Sequence, residues 1–478
     1  MKTTALLVVL GLSGLVHAAP GERAQYLPDG KVRVGSHLFA TANEYVNSEV
    51  FRAKGARCGS ETAEVTADAM NLIAPSDCTM GSTLINPDYN DARVFVIQVV
   101  YHVIKKTDGV GDITPALLKS QIDVLNEDFN ALVNTPGSMG TNLKIQFALA
   151  RFDPQGNPHP GYNIVVNDSY FADPGSGLSP MKAALKWDTT RYLNVYTNDA
   201  NDALGYATFP QQNAGTAQDG VVMLWNSVGR NSPIGPPYNL GRTMTHEVGH
   251  YLGLYHTFQG GCGTAASPYT SGDLVMDTNR ESGPHFGCTA GASTCTGGAG
   301  MKPIENYMNY SDDVCMTKFT VEQANRARCS LVNYRTINTR PTAMFTSTVA
   351  QQTATFTNAS TDLESQATLK YNWTFGDGTM STDKNPTHTY TTAGTFNVTL
   401  EVVDPGSGFH TFTMPVTIEA LPPPPTPDAG TSGPDGGGGG GGGDDDGGCC
   451  ESKHGAASHA LLALPVFLML RRRRRVKA

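Results

Sequence analysis

The eleven residues HEVGHYLGLYH, from His246 to His256, constrain the fold more tightly than any other stretch of the sequence. On an α-helix, residues four apart lie one turn from each other on the same face, so His246 and His250 share a face. Gly253 allows the chain to turn sharply because glycine tolerates positive φ. The pattern therefore predicts a helix that ends at a glycine turn, with His256 returning towards the first two imidazoles.

Three imidazoles that meet at one point indicate a metal site. They fill three positions of a tetrahedral zinc ion and leave the fourth open for water, which is typical of a catalytic zinc site. Glu247 lies about 100° further round the helix, where its carboxylate can hold a water on the metal without binding the metal. The alternative, an ordinary buried helix, would leave two imidazoles without polar partners. Zinc binding is therefore the favoured interpretation.

The residues before this motif predict a large α+β domain with a twisted sheet, over residues 91–338. Residues 94–104 form an apolar, β-branched run that suits a buried strand. Thr114 and Pro115 then provide an N-cap and a first-turn proline for a helix. An apolar stripe continues that helix at Leu118, Ile122, Leu125, Phe129 and Leu132, and further strands are expected at 143–149, 191–197 and 220–225.

The texture changes after Asn338. Residues 342–418 are rich in Thr, Val and Phe and lack helical periodicity, which predicts an all-β sandwich at 341–420. The stretch YNWTFGDG (371–378) closely resembles the PKD (polycystic kidney disease repeat) domain. The resemblance implies that Trp373 lies in the core and that Gly376–Gly378 forms a hairpin turn. It does not imply an activity or a partner for this domain.

The N-terminus is similar to a secretory signal peptide over residues 1–18. The apolar run Ala5–Val16 follows a positive start and is followed by small residues, so cleavage is expected after Ala18. A membrane anchor is the alternative, but this run is shorter than the about 20 residues that span a bilayer.

The C-terminus has two predicted parts. Residues 421–448 are rich in Pro, Gly and Asp and form a linker, since such a composition cannot bury a core. Residues 449–478 combine Cys449 and Cys450 with an apolar run at Ala460–Leu470 and a basic cluster at Arg471–Arg475, and resemble a myxobacterial-type sorting tail. That resemblance implies transient or permanent membrane association and delivery to the cell surface. A disordered basic tail is the alternative.

Charge argues against nucleic-acid binding. The chain carries 34 basic and 43 acidic side chains, a net charge of -9. Its arginines are concentrated at the extreme C-terminus, so no contiguous basic surface is left for the folded part.

The extended motif His246-Glu247-x-x-His250-x-x-Gly253-x-x-His256 is that of the metzincin clan. The clan also has a methionine turn beneath the metal, which fits Met308. More narrowly, the chain resembles the pappalysin (M43) metallopeptidases. The matching stretches are LNEDFN (125–130), GYATFP (205–210), GRTMTHEVGHYLGLYHTF (241–258), GDLVMDT (272–278) and NYMNYSDDVCMTKFT (306–320). Asn309 departs from the family, in which acidic residues are frequent at this position.

The resemblance implies a metzincin (zincin-like) fold and a secreted or cell-surface zinc endopeptidase that acts on proteins or peptides. Glu247 is expected to take a proton from the zinc-bound water and to return it to the leaving amine. Tyr310 is expected to stabilise the tetrahedral intermediate, although a packed core tyrosine is the alternative. Met308 is expected to form an apolar floor without binding zinc.

The resemblance also implies disulfides and a calcium site. Disulfides are expected at Cys262–Cys295 and Cys288–Cys315. Calcium ligands are expected at Asp273, Asp277 and Thr278, because carboxylates and carbonyls at short spacing suit a hard cation. A solvated acidic loop is the alternative there.

Residues 19–90 precede the first core strand and are predicted to be a pro-segment. The folded part retains three further cysteines, Cys58, Cys78 and Cys329. In one arrangement the Cys58 thiolate blocks the water position on zinc as an inhibitory switch, and Cys78 pairs with Cys329. In the other, Cys58 pairs with Cys78 and Cys329 is reduced.

Asp312 and Asp313 follow the methionine turn, close to the expected S1′ pocket. One of them is hypothesised to favour Arg or Lys directly after the scissile bond.

Parts of the sequence are compatible with two other functions. A surface adhesin that binds through the PKD domain would carry a vestigial metal site, but the intact histidines and Glu247 argue against decay. A metzincin with calcium-bound repeats would need a glycine-aspartate nonapeptide array, and the sequence contains none.

Overall fold

The computed structural model describes residues 22–60, 94–155, 157–172, 179–264, 268–269, 271–295, 300–335, 341–362, 369–404 and 409–420. The predicted signal peptide, linker and sorting tail lie outside these residues, as do Cys78 and residues 61–90 of the predicted pro-segment. Within the described ranges, no helix is both long enough and apolar enough to cross a membrane.

The described chain begins with a small antiparallel sheet of strands β1 (Ala24–Tyr26), β2 (Val32–Val34) and β3 (His37–Phe39). Two short helices follow, α1 (Ala42–Val46) and α2 (Glu49–Ala53), and each begins at a hydroxyl N-cap. We call residues 22–60 the N-terminal segment. Most of its apolar side chains are buried, although so short a segment has little core of its own.

The large domain is built on a six-stranded sheet. Its strands are β4 (Phe95–Lys105), β5 (Ile145–Leu149), β6 (Tyr162–Val166), β7 (Tyr192–Asn198), β8 (Gly205–Ala207) and β9 (Val221–Leu224). Its helices are α3 (Pro115–Phe129), α4 (Asp168–Phe171), α5 (Pro180–Leu185), α6 (Pro210–Asn213), α7 (Arg242–Tyr251) and α8 (Val321–Ser330). Shorter 3-10 turns lie at Pro136–Met139, Ala200–Asp202 and Trp225–Ser227, and a π-helical turn at Leu331–Arg335.

The strand order is β5-β4-β7-β9-β8, with β6 beside β4. Strand β4 pairs in parallel with β5, β6 and β7, and β8 runs antiparallel to β9 at one edge. The strands predicted at 94–104, 143–149, 191–197 and 220–225 are confirmed, with ends shifted by one or two residues. Helix α3 is also confirmed, but it ends at Phe129. Leu132, which the predicted stripe included, therefore lies beyond the helix and is 43% exposed, because Ala131 turns the chain with positive φ.

The sheet is covered on both faces. In β9, Val221 and Met223 belong to the core beneath α3 and α7. Val222 and Leu224 point to the opposite face, as alternation in a strand requires, and share a second core with the N-terminal segment. The large domain and the N-terminal segment therefore form three layers, namely helices, sheet and segment.

The second domain is a β-sandwich. Strands β10 (Phe345–Ala350), β11 (Thr353–Asn358) and β14 (Thr387–Thr389) form one sheet, and β12 (Lys370–Thr374), β13 (Met380–Ser381), β15 (Gly394–Val403) and β16 (Phe409–Ile418) form the other. Trp373 is 1% exposed within this core, as predicted. The predicted turn at Gly376–Gly378 joins β12 to β13, and both glycines have positive φ.

Candidate metal centre

Helix α7 carries the first two histidines, and the structure fixes both of its ends. At its start, Gly241 has a φ of 86° and provides no capping side chain. The Asp313 carboxylate instead accepts hydrogen bonds from the backbone N–H groups of Leu240 (2.8 Å) and Arg242 (3.3 Å). At its end, Gly253 has a φ of 85°, which confirms the predicted glycine turn and brings His256 back.

The three imidazoles meet as predicted. Nε2 of His250 lies 3.1 Å from Nε2 of His246 and 3.0 Å from Nε2 of His256. These separations are close to the about 3.3 Å between two nitrogens on a tetrahedral zinc ion with bonds of about 2.0–2.1 Å. The residues therefore fit a zinc ion without rearrangement.

The protonation of the rings also fits a metal. Nδ1 of His246 donates to the carbonyl of Tyr307, and Nδ1 of His250 donates to that of Leu254, each at 2.7 Å. Each Nε2 of these two rings is thus left with a lone pair. Burial lowers the pKa of His250 to about 4 and holds the pKa of His246 and His256 well below the usual value. Facing lone pairs on neutral rings repel one another, so the cluster favours a bound cation.

Cys58 completes the cluster. Its Sγ and the three histidine nitrogens lie within 4.8 Å of one another, and all four residues are buried. It is a free cysteine. Burial and the nearby Glu247 carboxylate raise the pKa of the Cys58 thiol, whereas a coordinated metal deprotonates a thiol. The thiol therefore lies where a fourth zinc ligand would bind.

Glu247 lies beside this cluster and is fully buried. Its Oε2 accepts a hydrogen bond from the Ser60 hydroxyl (2.9 Å) and lies 3.5 Å from the Cys58 Sγ. Its Oε1 has no hydrogen-bond partner among the described residues. Burial raises the pKa of Glu247 to about 7, which suits a group that takes up and returns a proton near neutral pH. A Cβ at Gly205 would lie 2.9 Å from its Cγ, so a glycine there leaves room for the carboxylate.

Met308 and Tyr310 lie on the methionine turn against the histidines. A Cβ at Gly249 would come within 2.4 Å of the Met308 Sδ, so the thioether packs directly beneath helix α7. The Tyr310 ring lies 5.0 Å from that of His256, and its hydroxyl donates to the Cys58 carbonyl at 3.4 Å. The hydroxyl is thus at the metal centre and is held by the N-terminal segment.

Residues 179–332 match the M43 peptidase family, described as pregnancy-associated plasma protein-A, and residues 338–419 match the PKD domain. The chain is 34% identical over 299 residues to an extracellular metalloprotease of Verticillium alfalfae. The aligned region covers 61% of this chain and 94% of that relative. The chain belongs to the M43 peptidase family.

This M43 peptidase is a zinc metalloendopeptidase, and its predicted architecture of a metzincin α+β domain followed by a PKD sandwich is confirmed. It is also 39% identical over 246 residues to an extracellular metalloprotease of Colletotrichum graminicola, across 50% of this chain and 77% of the relative. Mature mirolysin of Tannerella forsythia, in complex with a cleaved peptide, is 34% identical, with a TM-score of 0.41 over 49% of this chain and 90% of that chain.

Asp128 of helix α3 lies behind the metal centre, and no spacing pattern in the sequence indicates its role. Its Oδ1 accepts from Arg242 Nη2 (3.2 Å) and from the Tyr307 hydroxyl (2.8 Å), and its Oδ2 accepts from Thr245 (2.7 Å). The Tyr307 carbonyl in turn orients His246. Burial raises the pKa of Asp128 to about 6 even though these partners favour its ionised form. The Asp128 carboxylate thus links helix α3 to helix α7 and to the methionine turn. Asp128 lies in the stretch LNEDFN (125–130), but this stretch does not indicate which residues Asp128 contacts.

Asn309 departs from the family, and its contacts explain how the departure is accommodated. Its Nδ2 donates to Oε1 of the buried Glu281 at 2.7 Å, and the same oxygen accepts from Thr257, next to His256, at 2.7 Å. An acidic side chain at 309 would place two carboxylates in contact. The amide instead links the methionine turn to the third ligand.

The N-terminal segment inserts Arg57 beside Asp313. The guanidinium Nη2 lies 3.3 Å from Asp313 Oδ1, and both side chains are fully buried. The same guanidinium donates to the Thr243 hydroxyl and lies 4.7 Å from the centre of the Tyr238 ring. Asp312 does not contact Arg57 but lines an adjoining cavity of about 280 Å³. The two predicted pocket residues therefore occupy different positions.

Two of the three predicted calcium ligands come together. Asp273 Oδ2 accepts from the Thr278 hydroxyl at 2.5 Å, and Asp273 is almost fully buried. Asp277 is directed elsewhere, because its carboxylate accepts from the Thr320 hydroxyl (2.7 Å) and the Glu322 N–H (2.9 Å) at the start of α8. It caps that helix.

Both expected disulfides are present in the structure, Cys262–Cys295 and Cys288–Cys315, with Cα atoms 5.5 and 5.8 Å apart. Cys329 is also disulfide-bonded, whereas Cys58 is free. The arrangement with a Cys58–Cys78 disulfide and a reduced Cys329 is therefore wrong.

Proposed function

We propose that His246, His250 and His256 bind the zinc ion and that Glu247 and Tyr310 are the catalytic residues. Zinc, when bound, supplies a Lewis acid that polarises the peptide carbonyl and acidifies water. Glu247 takes the proton of the attacking water and returns it to the leaving amine. The Tyr310 hydroxyl, once released from the Cys58 carbonyl, donates to the developing oxyanion. The convergence of three neutral imidazoles beside a buried carboxylate with a pKa of about 7 carries this proposal.

The experiment compares Glu247→Ala with the parent in casein zymography after processing. The variant is expected to lose activity by about 10²–10⁴-fold while it keeps stoichiometric zinc, because Glu247 is not a ligand. Asp123→Ala, which changes an exposed carboxylate on α3, serves as the matched control and is expected to retain activity. Equal hydrolysis by the Glu247 variant and the parent would refute the assignment.

Latency is the second part of the proposal. Residues 19–90 act as a pro-segment over the enzyme domain at 91–338, and Cys58 supplies the fourth ligand to zinc. Three contacts support this. The Cys58 thiol lies in the histidine cluster, the Ser60 hydroxyl donates to the Glu247 carboxylate, and the Cys58 carbonyl accepts from the Tyr310 hydroxyl. Each of these groups would have to leave before a substrate and a water could enter.

A basic residue directly after the scissile bond is the third part. Asp313 is the selective carboxylate, because it already pairs with the Arg57 guanidinium between Thr243 and the Tyr238 ring. A substrate Arg would make the same contacts after the N-terminal segment leaves.

The fourth part of the proposal is a calcium site. Asp273 and Thr278 supply oxygens to a cation in the loop 272–278, and a carboxylate with a hydroxyl is the donor set that a hard cation prefers. Burial raises the pKa of Asp273 to about 7, and a cation would stabilise the ionised form. Asp277 supports the site by fixing the loop to helix α8.

The location is the last part. The relatives' designation as extracellular metalloproteases, together with the disulfides, supports secretion after removal of residues 1–18. Delivery to the outer cell surface would depend on the tail at 449–478, behind the PKD domain at 341–420 and the linker at 421–448.

A further inference from the structure

We propose that the N-terminal segment, residues 22–60, stays bound to the M43 peptidase after the chain is cut downstream of Ser60. It continues to inhibit the enzyme until it is itself cleaved or displaced. This inference rests on the proposed latency and adds a second barrier to activation. The observation behind it is that the segment is one of the three layers of the fold.

The segment covers a large part of the second face of the central sheet. Val32, Val34, Tyr45 and Phe51 are at most 1% exposed. They share one apolar core with residues of the sheet's second face, including Tyr196, Val222 and Leu224, which are equally buried. Each large apolar side chain buried at an interface strengthens association by roughly tenfold to a hundredfold. Release of the segment would expose both sides of this core to water.

Polar contacts surround the apolar core. Lys54 forms an ion pair with Asp202 (2.9 Å), and the backbone N–H of Ala24 donates to the same carboxylate (2.6 Å). On the other side, the Asn47 side chain donates to the Pro236 carbonyl at 3.0 Å. These contacts fix the orientation of the segment on the sheet.

The end of the segment enters the metal centre from this anchored layer. The Leu204 N–H donates to the Ala56 carbonyl, and the Gly59 N–H donates to the Gly205 carbonyl, each at 2.9 Å. Gly205 begins strand β8, the edge strand beside Glu247. The blocking residues 57–60 are thus held by backbone pairing to an edge strand as well as by the thiol.

All of these contacts are made by residues 24–60. A cut between Ser60 and Cys78 breaks none of these contacts. It also precedes Cys78, the residue expected to pair with Cys329, so no disulfide retains the fragment. The cut thus removes the covalent tether that keeps the segment at high local concentration. The cut chain is expected to be a non-covalent complex that is still inhibited. Activation then requires a second event inside the segment.

The experiment uses the full chain with a recognition sequence for a site-specific protease inserted between Ser60 and Cys78, so that the expected Cys78–Cys329 disulfide does not hold the released fragment. After complete cutting, size-exclusion chromatography and a peptide hydrolysis assay are run on the parent, on Phe51→Ala and on Glu49→Ala. Phe51 is buried in the shared core, and Glu49, on the same helix, is exposed. Lys54→Ala is a second test variant that leaves the core filled, and thermal unfolding of each uncut chain checks that it folds.

The parent and Glu49→Ala fragments are expected to co-elute with the enzyme. Their activity should lie roughly tenfold or more below that of cut Phe51→Ala, which releases its fragment. Cut Lys54→Ala should release less of its fragment than cut Phe51→Ala. Separation of the parent fragment with full activity directly after cutting would overturn the inference alone. Full activity of the uncut parent would instead overturn the proposed latency.

Discussion

Asp313 uses its two carboxylate oxygens for different purposes. Oδ1 lies 3.3 Å from the Arg57 guanidinium, while Oδ2 accepts the Leu240 and Arg242 N–H groups at the start of the helix that carries His246. The Asp313 carboxylate is therefore held by the backbone whether or not a guanidinium is present. Its position depends on the same helix that positions the metal ligands.

Asp313→Asn is expected to lose cleavage before Arg and Lys in a peptide library, by about 10- to 150-fold, because a hydrogen bond to a charged group contributes about 1.5–3 kcal/mol. The amide oxygen can still accept from the helix N–H groups, so the fold is retained. Asp312→Asn is the matched control and should keep the basic preference. An unchanged preference in the Asp313 variant would exclude the proposed pocket.

Replacement of zinc by cobalt(II) tests whether the Cys58 thiol coordinates the metal. The uncut chain is expected to show a thiolate-to-cobalt charge-transfer band, because a coordinating thiol is deprotonated. Cys58→Ser should remove the band without loss of bound cobalt, since three imidazoles remain. Ser60→Ala, which removes the hydroxyl that contacts Glu247 and the Ala207 N–H but no atom of the thiol, should keep it. A parent spectrum without the band would contradict the proposed switch.

Asp128→Asn is expected to lower both stability and zinc affinity. It leaves the Arg242 guanidinium buried without its anion, which costs about 3–5 kcal/mol. It also loosens Tyr307, whose carbonyl orients His246, and such outer contacts change metal affinity by about 10–100-fold. Thermal unfolding and competition with a zinc chelator measure the two effects. Asp123→Asn, on the exposed side of the same helix, should change neither the stability nor the zinc affinity. If the two variants behave alike, Asp128 does not support the metal centre.

Calcium is expected to raise the thermal midpoint more at pH 8 than at pH 6. Because burial raises the pKa of Asp273 to about 7, protons compete with the cation below that pH, and without calcium this group destabilises the fold as pH rises through 7. Asp273→Asn should abolish the calcium response. Asp277→Asn should lower the midpoint with or without calcium, because it loses the α8 cap. A calcium response that is independent of pH would speak against Asp273 as a ligand.

The parts of the site that follow from local geometry were predictable. The spacing of His246 and His250 and the turn at Gly253 depend only on helical geometry and on positive φ, so eleven residues were sufficient. The β strands followed from their apolar patterns for the same reason. Where the pattern ran past a helix end, at Leu132, the prediction failed because an apolar residue alone does not determine where a helix stops.

Contacts between distant parts of the chain were not predictable in the same way. Asp128 meets Tyr307 across 179 positions, and Arg57 meets Asp313 across 256. Neither residue lies in a spacing pattern that indicates its partner. The third layer formed by the N-terminal segment was missed for the same reason, since its strands are three residues long and show no periodicity.

The Cys288–Cys315 disulfide fastens the loop beyond the metal helix to a residue two positions after Asp313. When this bond is reduced, the cavity lined by Phe286, Gly287 and Asp312 loses its covalent link, whereas Asp313 keeps its hydrogen bonds to the start of the helix that carries His246. Reductant is therefore expected to loosen that cavity before it disturbs the histidines, so that the intact arrangement would depend on oxidising surroundings.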